Sequence, residues 1–343
     1  MVEAGGSNPP GPIGDGMKAT AKANANIALV KYWGKRDEAL ILPHNSSISM
    51  TCDAMETVTT VEFSENYDTD TAIINDEELH SDQKRVYDHI SLIRKMAGIK
   101  EKAKIVSESN FPVAAGLASS ASGFAALTVA AAAAAGLKLS EKELSIVARQ
   151  GSGSACRSIF GGFVEWKKGT KSSDSYAEQI AGKDHWKDFR MIATIVKEAR
   201  KAVSSRSGMS QTVKTSPYYG GWLSSIEEDL KGMREAIRSK NFTAAGSLAE
   251  YNALKMHCTM MTSKPPIIYW TPATVEIMNA VREWRQDLES YFTMDAGPNV
   301  KVMCLKKDEK ELRQRLSELD GVVKTISCAP GDGSSVSKNH LFD

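Results

Sequence analysis

No two of the five cysteines stand at CxxC spacing: Cys52, Cys156, Cys258, Cys304 and Cys328 are odd in number and scattered. That excludes a disulfide framework and a zinc ribbon, and leaves mostly buried thiols suited to a reducing cytoplasm. The six histidines show neither HExxH nor paired spacing, so no structural metal is indicated. Neither sign of charge predominates, with 43 Lys and Arg against 42 Asp and Glu. No global basic field exists to hold nucleic acid or an anionic membrane, although a local cationic pocket for a small anion is still open. Long apolar runs are missing: the longest, Ala125 to Gly136, is Ala-dominated and too short to span a bilayer. Residues 1–16 have no basic n-region and no apolar h-region, which argues against a secretory signal. Their Gly and Pro content reads as a disordered arm or an expression remnant, with Met17 as a candidate start.

What is present is the composition of a soluble globular protein, 42% hydrophobic and 25% charged over 343 residues. That length is too great for one ordinary core and implies two domains. Lys18 to Val30 reads as a strand that enters a loop at Lys31. Ser47–Cys52 and Thr57–Phe63 are rich in Thr and Val, and the second alternates as a half-buried strand should. Gln83–Met96 carries Val86, Ile90, Leu92 and Ile93 at helical spacing, and Lys104–Glu108 follows as a strand. The Ala-rich run has high helix propensity and ends near Gly136, and Glu141–Arg149 is a helix with Ser140 as its cap. Gly162–Trp166 is a strand, and Lys167 to Asp184 is turn-rich enough to mark a boundary. Beyond it, Met191–Val196, Glu289–Met294, Val300–Leu305 and Gly321–Ser327 read as strands. Trp222–Arg238, Phe242–Met261, Pro272–Arg285 and Glu309–Leu319 read as helices, which makes both halves α+β.

Five short segments carry polar chemistry. Phe111 to Gly123 places Gly116, Leu117, Ala118, Ser119 and Ser120 at the start of the Ala-rich helix. A helix start exposes free N–H groups and partial positive charge, and small side chains let a phosphate approach them. No Gly-Lys-Ser/Thr follows, so it is not a Walker A loop. Gly151-Ser152-Gly153-Ser154-Ala155-Cys156-Arg157-Ser158 surrounds one guanidinium with small residues, suited to a carboxylate or phosphate. Lys31-Tyr32-Trp33-Gly34-Lys35 sets two cations four residues apart beside aromatics. Met294-Asp295-Ala296-Gly297-Pro298-Asn299 puts a carboxylate on a tight turn between strands, where most Asp residues are turn formers. Lys201 to Met209 holds Ser204, Ser205 and Arg206 in a loop of hydroxyls and cations.

Each signal is weak alone, but their order is specific. Asn-Ile-Ala-Leu-Val-Lys-Tyr-Trp-Gly-Lys-Arg (26–36), Asn45-Ser-Ser47, Ala115-Gly-Leu-Ala-Ser-Ser120, the 151–158 segment, Ser204-Ser-Arg206 and the 294–299 turn resemble the mevalonate diphosphate decarboxylases of the GHMP kinase superfamily. The resemblance runs from Lys18 to Cys328, and Ser205-Arg206 with Asn252 to His257 looks like the bacterial members. It implies an α+β, two-domain GHMP kinase fold: an N-terminal α/β domain over 17–185, a ferredoxin-like domain over 186–330, a polar tail over 331–343, and the active site in the cleft between. It implies an isoprenoid-pathway enzyme that uses ATP and Mg²⁺ to decarboxylate mevalonate 5-diphosphate to isopentenyl diphosphate through 3-phosphorylation. Catalytic roles then fall to Asp295, Lys31 and Arg157, with Arg157 holding the substrate carboxylate. Tyr32, Lys35, Ser152, Ser154, Ser205 and Arg206 surround the 5-diphosphate. Gly116 to Ser120 form the ATP phosphate loop, and Asp295, with Lys201 nearby, lies close to Mg²⁺. A homodimer is the form the family usually takes. The alternatives on this scaffold are a mevalonate 5-phosphate decarboxylase and a mevalonate 3-kinase. The intact Asp295, Lys31 and Arg157 set favours full decarboxylation, and Lys35 with Arg206 favours the diphosphate.

Overall fold

The computed structural model describes residues 17–79, 84–112, 119–197 and 203–343. Strand β1 (Met17–Val30) pairs antiparallel with β4 (Ser47–Ser64) along nearly its whole length, from Met17↔Phe63 to Val30↔Ile48. The sequence suggests two strands where β4 is one, because Asp53 and Glu56 interrupt its apolar pattern. Register shifts between Asn24 and Asn26 and between Ala28 and Val30 absorb the irregularity. The short hairpin of β2 (Lys35–Asp37) and β3 (Leu42–Pro43) lies between them in sequence. Outward from β4 come β7 (Lys102–Ser109), β5 (Thr71–Ile74) and β6 (Glu77–Glu78), with β5 parallel to β7. β8 (Phe163–Trp166) and β9 (Ala177–Ala181) extend the sheet from the start of β4. The second of these lies in the stretch the sequence marks as turn-rich.

Helix α2 (Ser119–Ala134) packs on this sheet with α1 (Lys84–Ala97) and α3 (Glu141–Gly151) beside it. α2 is buried almost all round, and its alanines let it lie close to Ala19, Ala21 and Ala23 of β1. α3 starts at a reciprocal cap in which Ser140 and Glu143 satisfy each other's backbone N–H groups.

The second sheet has the order β11 (Tyr291–Met294), β12 (Val300–Leu305), β10 (Phe189–Val196), β13 (Val322–Cys328), all antiparallel. α7 (Pro272–Trp284) and α8 (Glu309–Ser317) pack a separate core against it through Ile277, Val281, Leu312 and Leu316. α5 (Tyr219–Ser239) and α6 (Phe242–Met261) join the two halves. Their Trp222, Ile226, Leu230 and Met256 share one hydrophobic cluster with Ile27, Leu29, Ile48 and Met50 of the first sheet and Phe189, Met191 and Tyr291 of the second. α4 (Ser205–Thr215) precedes them and begins inside what the sequence suggests is a loop.

Residues 331–343, expected as a polar tail, contribute a short strand to the first sheet. β14 (Ser335–Ser337) pairs with β1 at Thr20 to Lys22. His340 Nδ1 lies 2.7 Å from Thr20 Oγ1, and the Phe342 ring lies 4.3 Å beneath both Lys18 and Lys104. A strand that adds through backbone bonds needs no apolar side chains, so polarity alone misreads it.

Candidate active site

The site begins where β1 ends. The Lys31 N–H donates to Asn252 Oδ1 at 2.8 Å, and Asn45 Nδ2 donates to the Lys31 carbonyl at 2.8 Å. The Tyr219 hydroxyl donates to the Trp33 carbonyl at 2.8 Å. Gly34 sits at φ +100°, and a Cβ there would fall 2.0 Å from that same hydroxyl oxygen. The segment that carries Lys31, Tyr32 and Lys35 is therefore fixed by groups of both halves.

Lys31 is buried, and its Nζ donates to the Ala28 carbonyl at 2.7 Å and to Asp295 Oδ1 at 2.8 Å. Asp295 stands on the turn between β11 and β12. Its side chain keeps 24% of its surface while that of Lys31 keeps 1%, so the carboxylate is the more exposed partner of the pair. A second buried lysine, Lys301 of β12, brings its Nζ to 3.5 Å from Asp295 Oδ2. That oxygen is buried and has no hydrogen-bond partner among the described residues. Burial pushes the Asp295 carboxyl up, but the charges of Lys31 and Lys301 outweigh it and hold the group well below the usual carboxylate range. Burial brings Lys31 down to about 8, against the opposing pull of Asp295. His257 of α6, beside the Trp270 ring at 5.4 Å, is lowered to about 3 by burial and by the Lys31 charge. Its imidazole is neutral at physiological pH.

Arg157 lies on a short 3₁₀ turn, Gly153–Ile159, that the sequence suggests is an irregular loop. It is buried, with Nε donating to Asn26 Oδ1 at 3.1 Å and Ser49 Oγ at 3.0 Å, and Nη1 donating to Ser47 Oγ at 2.6 Å. Asn26 Nδ2 in turn donates to the Ser154 carbonyl at 3.0 Å and Ser158 Oγ at 2.8 Å, which squares the turn to β1. Burial lowers the Arg157 guanidinium, and the Asp295 charge partly restores it, so the two sense one another across the site.

A second group of cations gathers around Lys35, close in sequence to Tyr32. The Tyr32 ring meets Trp166 edge-on at 4.7 Å, and its hydroxyl is buried without a hydrogen-bond partner among the described residues. Lys35 is buried and its ammonium bonds to Glu38; burial lowers it, Glu38 raises it, and Arg206 and Arg85 lower it again. Arg85, from α1, donates to the Gly151 carbonyl at 3.0 Å and lies 4.8 Å over the Phe124 ring. Desolvation and then the Arg206 charge lower its guanidinium, although the side chain still reaches the surface. Arg206 stands in the first turn of α4, directly after Ser205, with Ser204 as the helix cap. Ser152 Oγ, at the end of α3, is 3.3 Å from Ser120 Oγ in the first turn of α2. Ser119 opens α2, while Gly116, Leu117, Ala118 and Lys201 lie outside the described residues.

The structure thus joins Lys31 directly to Asp295, puts Arg157 in the field of both, gathers Lys35 and Arg206, and links Ser120 to Ser152. Sequence reasoning missed Arg85, Lys301 and the supporting role of Asn26. Arg85 sits in an ordinary helical pattern, and Lys301 occupies one position of a buried strand. Only Asn26 had a local signal, as a polar residue in an otherwise apolar strand end.

Two family descriptions match the chain: the diphosphomevalonate decarboxylase-like N-terminal domain over residues 23–177 and the mevalonate 5-diphosphate decarboxylase C-terminal domain over 191–335. The diphosphomevalonate decarboxylase of Gibberella zeae is 39% identical over 312 residues, covering 85% of this chain and 82% of its own. The solved complex of MDDEF with MVAPP, AMPPCP and magnesium superposes with a TM-score of 0.89 at 44% identity, over 94% of this chain and 99% of that one. The Staphylococcus aureus mevalonate diphosphate decarboxylase matches with a TM-score of 0.89 at 41% identity, over 94% and 98%. Together with these relatives, the two α+β halves make the chain an ATP-dependent enzyme of the GHMP kinase fold. Within that class the chain belongs to the diphosphomevalonate decarboxylase family.

Proposed function

We propose that the residues of this site divide the ATP-dependent decarboxylation of mevalonate 5-diphosphate among three tasks. Asp295 receives the 3-hydroxyl of the substrate and orients its oxygen for in-line attack on the γ-phosphoryl group of ATP. A carboxylate held so strongly ionised is an acceptor first and a base second. It takes the hydroxyl proton as the new O–P bond forms and that proton grows acidic. Lys31, charged below about pH 8, steadies negative charge on the transferring phosphoryl group. Arg157 holds the substrate carboxylate. When the 3-phosphate departs, C3 becomes cation-like; the electron pair of the bond to the carboxylate then forms the new double bond, and carbon dioxide leaves. ADP, phosphate, carbon dioxide and isopentenyl diphosphate account for every atom.

Lys35, Arg85 and Arg206, with Tyr32, Ser152, Ser154 and Ser205, take the 5-diphosphate. Gly116 to Ser120 carry the ATP phosphates at the start of α2. Mg²⁺ prefers few protein oxygens and many phosphate oxygens. The buried Asp295 Oδ2 and the Ser120 hydroxyl suit that habit, and no cluster of three His, Cys, Asp or Glu occurs among the described residues to favour a closed protein site. When bound on the phosphates, the ion supplies charge neutralisation.

The coarser organisation we assign is a first domain over 17–185, a second over 186–330 and a homodimer in the cytoplasm, to be checked by light scattering and fractionation. No helix of the described residues is long and apolar enough to cross a membrane.

The contact of Lys31 with Asp295, made from opposite halves of the chain, carries this reading. Its test is carbon dioxide release from mevalonate 5-diphosphate and from the 5-monophosphate, for the parent and for Asp295→Asn. The diphosphate should be the better substrate, and the variant should lose roughly 10³-fold or more in turnover while still binding ATP. Preference for the monophosphate, or near-normal turnover in the variant, would remove the assignment.

A further inference from the structure

The group of cations around Lys35 contains one carboxylate that the mechanism above does not use. Glu38 sits in the turn of the hairpin between β2 and β3. That turn is pinned on either side of it. The Leu40 N–H donates to Asp37 Oδ1 at 2.8 Å, and Arg149 Nε, from α3, donates to the Leu40 carbonyl at 3.2 Å. Glu38 reaches back three residues to the ammonium of Lys35. The two partners differ sharply in exposure. The Lys35 side chain keeps 2% of its surface, and that of Glu38 keeps 54%. Arg85 and Arg206 both act on Lys35 with like charge, so the ammonium stands among cations with Glu38 as its bonded acid. The field of Glu38 also reaches the neighbouring Tyr32.

We propose that Glu38 is a resident counter-ion of the diphosphate subsite, a group the substrate displaces from Lys35 in order to bind. The proposal rests on the reading that Lys35 takes the 5-diphosphate. Lys35 is buried, and the backbone of the segment before it is fixed by Tyr219 and Asn45, so the cation stays in place. Glu38 is half in water already, and an exposed carboxylate loses little by returning to it fully. A diphosphate oxygen needs the same face of the ammonium, and two anions that compete for it repel one another. The exchange sets a threshold on the charge of the incoming group. An anion that replaces Glu38 must also engage Arg85 and Arg206, which a diphosphate does with its many oxygens and a lone carboxylate does not. Glu38 is thus a specificity residue that lowers affinity for every anion and leaves the polyanion as the ligand able to compete.

The experiment measures the dissociation constant of mevalonate 5-diphosphate by calorimetry, and inhibition by inorganic pyrophosphate as a probe of the anion subsite alone. Glu38→Gln removes the charge and keeps the shape, and should bind both ligands about 2- to 5-fold more tightly, the scale of one half-exposed ion pair. Glu38→Ala should shift both constants in the same direction, and its exposed turn position keeps the fold intact. Unchanged or weaker binding in both variants would overturn the proposal and make Glu38 an orienting partner of Lys35 instead. Lys35→Met separates the two readings. If it binds mevalonate 5-diphosphate as the parent does, the placement of the diphosphate is wrong and the role of Glu38 falls with it. If Lys35→Met weakens binding and Glu38→Gln does not tighten it, the role of Glu38 alone fails.

Discussion

At the scale of the residue, the centre is governed by how burial and charge divide between Lys31 and Asp295. Burial alone would neutralise both. Their contact, with Lys301 added, keeps the carboxylate ionised far into acid, while Lys31 is brought down to about 8. The sign follows directly. An amine carries its proton below its pKa and loses it above. If the ammonium of Lys31 steadies the phosphoryl group, turnover at saturating substrate should fall as pH rises through about 8. Lys31→Arg should be slower but lack this alkaline limb, because a guanidinium does not titrate there. The pH profiles of both enzymes decide it, and an identical limb in the variant would assign the titration to another group. Asp295, Lys31, Arg157 and Arg206 were named from the order of their segments and the family it resembles, since each segment is a weak signal alone. Lys301, Arg85 and Glu38 were not, because what makes each notable is a partner brought near by folding or an ordinary place in a regular pattern. Lys301 and Asp295, six residues apart, meet only because the turn after β11 doubles back.

Elements were legible where the helical period was regular, as in α3 and α7, and blurred where function interrupts the pattern. β4 looked like two strands because polar residues stand in its middle, and the turn around Arg157 looked like a loop because its small residues serve close packing. Tight backbone geometry is the element-scale counterpart of a catalytic side chain. Gly34 shows this best, with a left-handed φ of +100° and a missing Cβ that would lie 2.0 Å from the Tyr219 hydroxyl. Gly34→Ala should strain the backbone by about 1–3 kcal/mol and push Tyr219 off the Trp33 carbonyl. Because Lys31 and Lys35 flank this point, substrate affinity should weaken together with stability. Urea unfolding and substrate binding on the same variant measure both. A variant as stable as the parent that binds normally would show that the segment is held elsewhere.

At the scale of the molecule, each sheet has a core of its own, and a third cluster is shared between them. Ile27 and Leu29 of the first share a cluster with Phe189 and Met191 of the second, bridged by Trp222, Ile226 and Leu230 of α5. Separating the halves would expose that whole surface to water, a cost comparable with the net stability of a domain. The chain also crosses back after β13. Gly331 passes so close to Asp53 that a Cβ would fall 2.7 Å from its Cα, and β14 then closes on β1. The first sheet is complete only when the last residues have returned to it. Heat should therefore unfold both halves in one transition, with calorimetric and van't Hoff enthalpies in a ratio of about 1. The alternative is concrete: two resolved transitions, or a fragment ending near residue 185 that melts cooperatively by itself, would mean that the shared cluster does not couple the halves. The same coupling bears on catalysis, because Lys31 and Asp295 are contributed by opposite sides of it. If the cluster couples the halves in this way, Lys31 and Asp295 part only as it melts, so activity and secondary structure should be lost over the same range of urea concentration.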